Sequence, residues 1–431
     1  MLNINGLKNY LFNSGWILID RVVRFVLGIT IGIMVARYLG PKDYGILNYV
    51  LSLTGIISII GTFGMDSVVI KDLVKYKKLD TKIIYNAMFL KFIGAVLVII
   101  TAQIVAYLFH LSDEIKLFIF IVTLSGLFNF LFVIDLFYKS KVLMKKIVKL
   151  NILTLIGVSS YKLLLIFIKA SLIFFFFSPL LEAIIGSFLK LGVILKDGYL
   201  FYKNKISFFY IKKLLSQSWP FIIMSLIAVI YTKIDQIMIF QILGAKENGL
   251  YAAATRLSNI LFMLPGVVSG SFYIAILNAK KVSKDLFYKR LKALYFVMFW
   301  GAILLILPFL FFSKEIILIL YGKQYELASD VLSVYIWCVL FVFISAVTNM
   351  WFVIENKQKI SMYFNLTGLV INIILNIILI KTYGIMGAAL ATLTAYAVNI
   401  YVCLLCNKKT QKLFVFVNKS IWNINSIKGL K

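Results

Sequence analysis

The strongest constraint on this chain is a series of about twelve apolar stretches, each close to the length that a helix needs to cross a bilayer. A membrane helix takes about 20 mostly apolar residues. Such stretches lie at about 9–36, 44–70, 83–109, 117–138, 147–168, 170–195, 216–243, 249–277, 291–312, 329–354, 360–380 and 385–406. Hydrocarbon offers no water to backbone N–H and C=O groups, so each stretch must satisfy its own as a helix. The expected fold class is all-α: a polytopic membrane protein with about 12 transmembrane helices. In a chain of 431 residues, spans of that length leave only short connections and no soluble domain.

Composition agrees. With 62% hydrophobic and 14% charged residues and a mean hydropathy of +0.97, a soluble enzyme and a disordered chain are both excluded. A net charge of +28 would suit nucleic acid, but alongside so much Phe, Ile and Leu it marks the positive loops of a membrane protein. No nucleic-acid partner is expected. One His and three Cys exclude most metal and disulfide frameworks. Cys403 and Cys406 have C-x-x-C spacing but stand alone at the end of an apolar helix, and His110 sits beside Asp113 and Glu114 in a short loop. No Gly-rich loop ends in Gly-Lys-Ser/Thr, so ATP is not hydrolysed here. No cofactor, metal or catalytic residue is expected, and the chain is not read as an enzyme. The first apolar run carries Asp20, Arg21 and Arg24 and has no small-residue cleavage site, so it is not read as a signal peptide.

The loops set an orientation. Connections on the side of the N-terminus hold 30 Lys and Arg, from Lys8 through Lys77, Lys78, Lys203 and Lys205 to Lys428 and Lys431, against 8 on the other side. This asymmetry puts both termini in the cytoplasm of a multi-pass cytoplasmic-membrane protein. A missed helix would reverse the bias downstream, and it never reverses.

Leu39-Gly40-Pro41-Lys42-Asp43-Tyr44-Gly45 resembles Leu243-Gly244-Ala245-Lys246-Glu247-Asn248-Gly249, at an offset of 204 residues. Each joins an odd helix to an even one on the outer face, six helices apart. Parallel repeats of this kind are related by an axis along the membrane normal. The expected organisation is a six-helix lobe at 1–195, a basic cytoplasmic linker at 196–215, a second six-helix lobe at 216–406 and a basic tail at 407–431.

Seven basic residues fall inside spans: Arg21, Arg24, Lys91, Lys162, Lys190, Lys233 and Arg256. An Arg or Lys at a helix centre costs about 2.5–3.5 kcal/mol on insertion scales. Lys91 and Lys190 lie near enough to the cytoplasmic ends to snorkel. The others call for a partner or a watery cavity. Arg21, Arg24 and Gly28 share a helix face at i, i+3 and i+7, and Gly28-x-x-x-Gly32 suits close helix packing. Asp20 lies four residues before Arg24, the favourable order for an ion pair. Two readings remain open for this cluster: a buried network that locks helices, or a basic wall facing an anion. In the eighth span Pro265 and Gly266 interrupt the helix.

Acids in or near spans are Asp20, Asp66, Asp135, Glu182 and Asp235, of which Asp20, Glu182 and Asp235 are candidates for coupling to an ion. Lys162 is an alternative partner for Glu182, and Asp66 and Asp135 read as solvated. Asn365, Asn372 and Asn376 form a polar stripe on one span; Asn365 and Asn372 are candidates for sugar binding, with interhelical hydrogen bonding as the alternative.

A set of short segments runs in order through nearly the whole chain: Ala36-Arg37-Tyr38-Leu39-Gly40-Pro41-x-x-Tyr44-Gly45-x-Leu47-Asn48-Tyr49, Gly64-Met65-Asp66 and Asp235-Gln236-x-Met238. It continues in Leu243-Gly244…Gly249-x-Tyr251…Arg256-Leu257, Tyr321-Gly322-x-x-Tyr325-x-x-Ala328 and Tyr383-Gly384-x-x-Gly387-Ala388-Ala389-x-Ala391-Thr392. Together these segments resemble the polysaccharide flippases of the multidrug/oligosaccharidyl-lipid/polysaccharide exporter superfamily, in particular the Wzx-type O-antigen flippases. The resemblance implies a flippase that moves a polyprenyl-pyrophosphate-linked oligosaccharide to the outer leaflet for O-antigen or capsule synthesis, by alternating access of two lobes. Coupling to H+ or Na+ is part of that implication. A pyrophosphate inside a membrane protein requires fixed cations, and Arg offers forked donors. Arg21, Arg24 and Arg256 are the candidate pyrophosphate ligands, with Lys233 assisting. The expected partners are this lipid-linked cargo and membrane lipids, and the expected state is a monomer. The alternatives are a cation-drug antiporter of the same superfamily, which a basic cavity opposes, and a polymerase or glycosyltransferase, which would need a larger outer loop.

Overall fold

The computed structural model describes residues 4–76, 79–199 and 206–422. Lys77, Lys78, Lys203, Lys205, Lys428 and Lys431, which belong to the basic loops and tail, lie outside the described residues, as does the side chain of Lys8. The basic connection and the tail are thus described only in part.

Among the described residues the regular structure is helical: α1 Ile4–Thr62, α2 Asp66–Lys75, α3 Asp80–Leu108, α4 Asp113–Ser140, α5 Met144–Phe167, α6 Leu172–Lys196 and α7 Phe208–Leu243. There follow α8 Ala245–Val282, α9 Lys284–Phe311, α10 Ser313–Tyr321, α11 Ala328–Ile354, α12 Gln358–Cys406 and α13 Gln411–Ile421. Nine of these, α3–α9, α11 and α12, are long and apolar enough to cross a membrane. α1 and α12 are each broken at a glycine, Gly40 and Gly384, so the described residues supply 12 membrane-length limbs.

The chain divides into two compact units, Met1–Leu39 with Ile46–Lys233, and Gly40–Gly45 with Ile234–Lys431. The division falls inside α7. In the first unit, a core of Val69, Leu73, Ile84, Val133, Phe137, Ile147, Ile194 and Leu214 ties α2 to the basic-loop ends of α3–α7. The buried face of α2 (Val68, Val69, Asp72, Leu73) also holds the start of α7, because the Tyr210 hydroxyl donates to Asp72 at 3.1 Å. Beyond α6, Asp197 accepts from Lys146 Nζ at 2.7 Å and from the Tyr138 hydroxyl at 2.6 Å. These donors hold its carboxyl below the usual range. In the second unit, Leu291, Leu294, Tyr295, Val347, Trp351 and Leu404 form the core. The amphipathic α13 seats Leu413, Val417 and Ile421 on it, at i, i+4 and i+8.

Helix ends depart from the hydropathy pattern for local reasons. The stretch expected at 44–70 stops at Thr62, because Phe63 and Gly64 adopt positive φ. A Cβ on Gly64 would stand 2.7 Å from the backbone nitrogen of Ile222, so α7 passes where a side chain would be. The eighth span is interrupted at Phe262 and Met263, where Pro265 cannot donate to the Leu261 carbonyl. Gly28, expected to aid helix packing, has no heavy atom within 4 Å of the place its Cβ would occupy.

The repeated heptapeptides take the same backbone form. Gly40 has φ 73, ψ 171 and Gly244 has φ 105, ψ −174, a region essentially closed to other residues. Within the second unit the two copies touch reciprocally. A Cβ on Gly45 would stand 1.7 Å from the Ala245 carbonyl oxygen, and one on Gly249 would stand 1.8 Å from that of Pro41. The offset of 204 maps Pro41 onto Ala245 and Gly45 onto Gly249, so this contact maps onto itself, as contacts across a twofold axis do. Asn248 Nδ2 adds a hydrogen bond to the Gly45 carbonyl at 2.8 Å.

Gly249→Ala is therefore expected to force these backbones apart and to lower the melting temperature of the purified protein by several degrees. Gly55→Ala, where nothing lies within 4 Å, should leave it within a degree or so. Equal melting of the two variants would contradict the close approach.

Candidate functional site

In the first unit the charged residues of the spans form a seam of alternating sign. The Arg21 side chain is exposed on α1, and Arg24 is 46% exposed. Arg24 Nη1 meets Glu182 Oε1 of α6 at 2.8 Å. The ion pair of Arg24 is thus an interhelical one with Glu182, rather than the local one expected with Asp20. Asp20 instead lies within electrostatic reach of Lys190 and Asp135. Lys190 does not snorkel. It is buried, with Nζ 2.8 Å from Asp135 Oδ2 and 3.7 Å from the centre of the Phe132 ring. Lys91 likewise pairs with Asp66 at 2.8 Å, so neither acid expected to be simply solvated stands alone. Each pairing lets two charges share the cost of leaving water.

The other basic candidates lie further along the chain. Lys233, half-buried, is the last residue of the first unit. In the second unit, Arg256 of α8 donates to the Tyr44 hydroxyl at 3.2 Å. Tyr44 packs edge-on to Tyr325 with ring centres 6.3 Å apart, and Tyr321 also acts electrostatically on Arg256. These phenols anchor the Arg256 guanidinium on α8.

Asp235 presents a different arrangement. It is buried, and its carboxylate accepts from Tyr251 Oη at 2.7 Å, Asn376 Nδ2 at 2.7 Å and Thr392 Oγ1 at 2.6 Å. All three donors are neutral. Asn372 Nδ2 donates to Thr392 Oγ1 at 3.1 Å, and Asn372 Oδ1 accepts from Asn376 at 3.2 Å. The local fold produces this cluster. Gly384, at φ 60, reverses α12, and Gly387 lets the two limbs touch, since a Cβ there would lie 1.9 Å from the Leu379 carbonyl oxygen. Asn372 and Asn376 on one limb thereby face Thr392 on the other. Asn376 Oδ1 is buried and has no hydrogen-bond partner.

Asn372, considered for sugars, is fully buried inside this cluster and is not open to a ligand of that size. Asn365 is partly exposed and bonded to Asn399 at 3.0 Å. Sequence reasoning missed Tyr251, Asn376 and Thr392 as companions of Asp235. The spacing of four between Asn372 and Asn376 was the available signal, and it gave a shared face without naming what the face meets.

Comparison with known proteins gives the same architecture. Residues 10–277 match the family described as Polysaccharide biosynthesis protein, and residues 220–378 match the family MatE. An uncharacterized membrane protein of Methanocaldococcus jannaschii is 26% identical over 385 residues, covering 83% of this chain and 88% of its own. A probable low-salt glycan biosynthesis flippase of Haloferax volcanii is 24% identical over 200 residues, 46% of this chain and 42% of its own. Among solved structures, a lipid II flippase in an inward closed conformation superposes with a TM-score of 0.70 at 20% identity, over 97% of this chain and 95% of that one. An inward-facing multidrug-resistance MATE transporter gives 0.64 at 12% identity, over 92% and 96%. At these identities the structural likeness is one of fold. Helix count, the glycine-marked breaks and the family match over residues 10–277 converge, and the chain belongs to the polysaccharide biosynthesis protein family, as a multi-pass membrane protein with the fold shared by the lipid II flippase and the MATE transporter.

Proposed function

We propose that this protein is a flippase that moves a polyprenyl-pyrophosphate-linked oligosaccharide from the inner to the outer leaflet of the cytoplasmic membrane, both termini being cytoplasmic, in the synthesis of a surface polysaccharide such as O-antigen or capsule. The observation that carries the reading is the Arg24–Glu182 pair: a guanidinium at membrane depth, 46% exposed, holding a carboxylate at 2.8 Å. A carboxylate is the side-chain group nearest in charge and acceptor geometry to a phosphate oxygen. A pyrophosphate arriving at Arg24 exchanges one charge-assisted pair for another, without first stripping a bare cation of water. Arg21 on the same face supplies a second fork, and Lys233 of the same unit is the assisting cation; Arg256 is the candidate of the second unit. The lipid tail needs no protein enclosure, so only the head has to be sheltered during a two-state exchange. The two lobes expected from the repeat are the moving parts.

Coupling to Na+ at Asp235 belongs to the same reading. Hard cations take oxygen ligands. The Asp235 carboxylate, Thr392 Oγ1, Asn372 Oδ1 and the unbonded Asn376 Oδ1 offer a compact all-oxygen set, and the orphaned amide oxygen is what a bound cation would satisfy. A cation there completes a buried carboxylate whose hydrogen-bond partners are neutral.

In proteoliposomes, Arg24→Ala and Arg21→Ala are expected to lower transport of a pyrophosphate-linked oligosaccharide at least tenfold while the protein remains folded in the membrane, with Lys at either site keeping part of the rate. Wild-type transport by Arg21→Ala, Arg24→Ala and Arg256→Ala would reject the anion site, and extrusion of a cationic dye in its place would favour the drug-antiporter reading that the MatE match raises. For Asp235→Asn, the Na+-dependent rise in melting temperature is expected to vanish. A Na+ response equal to that of the unaltered chain would remove Asp235 from coupling.

A further inference from the structure

A second polar site lies within the first unit, between the second limb of α1, α3 and α4. It is a cavity of about 230 Å³. Its polar lining comes from Ser58, Thr62, Lys91, Thr123, Ser125 and Asn129. The Phe130 and Phe132 rings supply apolar wall. α4 is irregular along this cavity. Its first segment ends at Leu124, a turn follows at Ser125, and residues Phe130–Phe132 form a 3₁₀ turn. Backbone that leaves the α-helix at membrane depth is tolerated where protein buries it or where it lines a cavity, and α4 meets the second condition.

The hydrogen-bond inventory of the wall defines its ligand. Ser58 donates to the Thr54 carbonyl at 2.6 Å and Thr62 to that of Ile59 at 2.8 Å. Thr123 donates to Ile119 at 2.9 Å and Ser125 to Val122 at 2.7 Å. A hydroxyl has one proton and two lone pairs, so these four oxygens can only accept from whatever fills the cavity. These four oxygens offer a phosphate no hydrogen bond. Lys91 stands in the same wall paired with Asp66 at 2.8 Å, so the pair leaves no net charge there to draw an anion or a cation. What remains is an uncharged molecule rich in O–H donors, with an apolar face for the two phenylalanines.

We infer that this cavity is a sugar subsite, which takes a neutral hexose ring of the lipid-linked cargo. The inference rests on the function proposed above and names a separate part of the cargo. Lys91 of the wall acts electrostatically on Asp135, Asp135 pairs with Lys190, and Lys190 lies in the field of Arg24, so a chain of charges links the cavity wall to the proposed pyrophosphate ligand. A sugar linked through a phosphate places a polyol beside an anion, the same order as cavity and arginine.

The test uses the full chain in nanodiscs of phosphatidylcholine and phosphatidylglycerol, with two probes: citronellyl pyrophosphate bearing one hexose, and citronellyl pyrophosphate alone. Asn129→Leu is expected to weaken binding of the hexose-bearing probe about tenfold and that of the bare probe less than twofold. Thr123→Val, close in shape, serves if Asn129→Leu melts abnormally. Equal weakening of both probes, or of neither, overturns the subsite. Arg24→Ala should weaken both probes alike. If it weakens neither, the pyrophosphate reading fails while the difference between probes still reports on the cavity. Competition by a glucosyl-diacylglycerol as strong as that by the hexose-bearing probe would assign the cavity to a bilayer glycolipid and overturn the proposal.

Discussion

Charge inside a bilayer must find a partner, and the two units meet this constraint in different ways. In the first unit it is met by ion pairs: Arg24 with Glu182, Lys91 with Asp66 and Lys190 with Asp135. Exposure separates their roles. The Lys190 side chain is 3% exposed and that of Asp135 27%, so parting them leaves a charge that water cannot rescue. Arg24 and Glu182, at 46% and 36%, are reached by solvent, and their pairing is worth less to the fold. The pair that is cheapest to open is the one whose cation suits the pyrophosphate proposed as cargo. In the second unit the buried carboxyl group of Asp235 is held by the neutral side chains of Tyr251, Asn376 and Thr392.

Glycine decides where these groups meet. Gly40, Gly244 and Gly322 share positive φ with ψ near 180°, and Gly384 lies close to them. Each ends one helix and starts the next with almost no loop. A turn this short fixes the rotation of the second helix about its axis, so that residues such as Thr392 arrive at a set angle. A longer connection would let that angle drift and would blur the geometry of an all-oxygen cluster.

Hydropathy, loop charge and the two glycine heptapeptides made the membrane class and the span count legible in the sequence. The partners of the buried charges were not. Helical periodicity says that Arg21 and Arg24 share a face, and the i, i+4 rule offers Asp20 to Arg24, but Glu182 comes from a helix more than 150 residues away. Lys190 looked able to reach the membrane surface because its depth along the helix was visible and its neighbour Asp135 was not. The end of α1 at Thr62 was hidden for the same reason, since it is α7 that occupies the space beside Gly64. Sequence reports the face a residue occupies; tertiary packing reports what stands opposite.

Irregular backbone and polar side chains occur together in this fold. α4 breaks at Ser125, where the acceptor-lined cavity lies. α12 reverses at Gly384 beside the Asp235 cluster and opens into a π turn at Val398–Val402, where Asn399 reaches Asn365. α5, by contrast, runs unbroken from Met144 to Phe167 and exposes Leu153, Ile156 and Leu164. Regular helices suit lipid, which supplies no hydrogen bonds; broken ones are stable only where polar groups complete them. A site made by breaking a helix is also a site whose occupant changes how that helix is satisfied. Under the function proposed above, a sugar in the α4 cavity or a cation at Asp235 would change how the broken helix beside it is satisfied, and so would have different affinities for two arrangements of the same helices, which a two-state carrier requires.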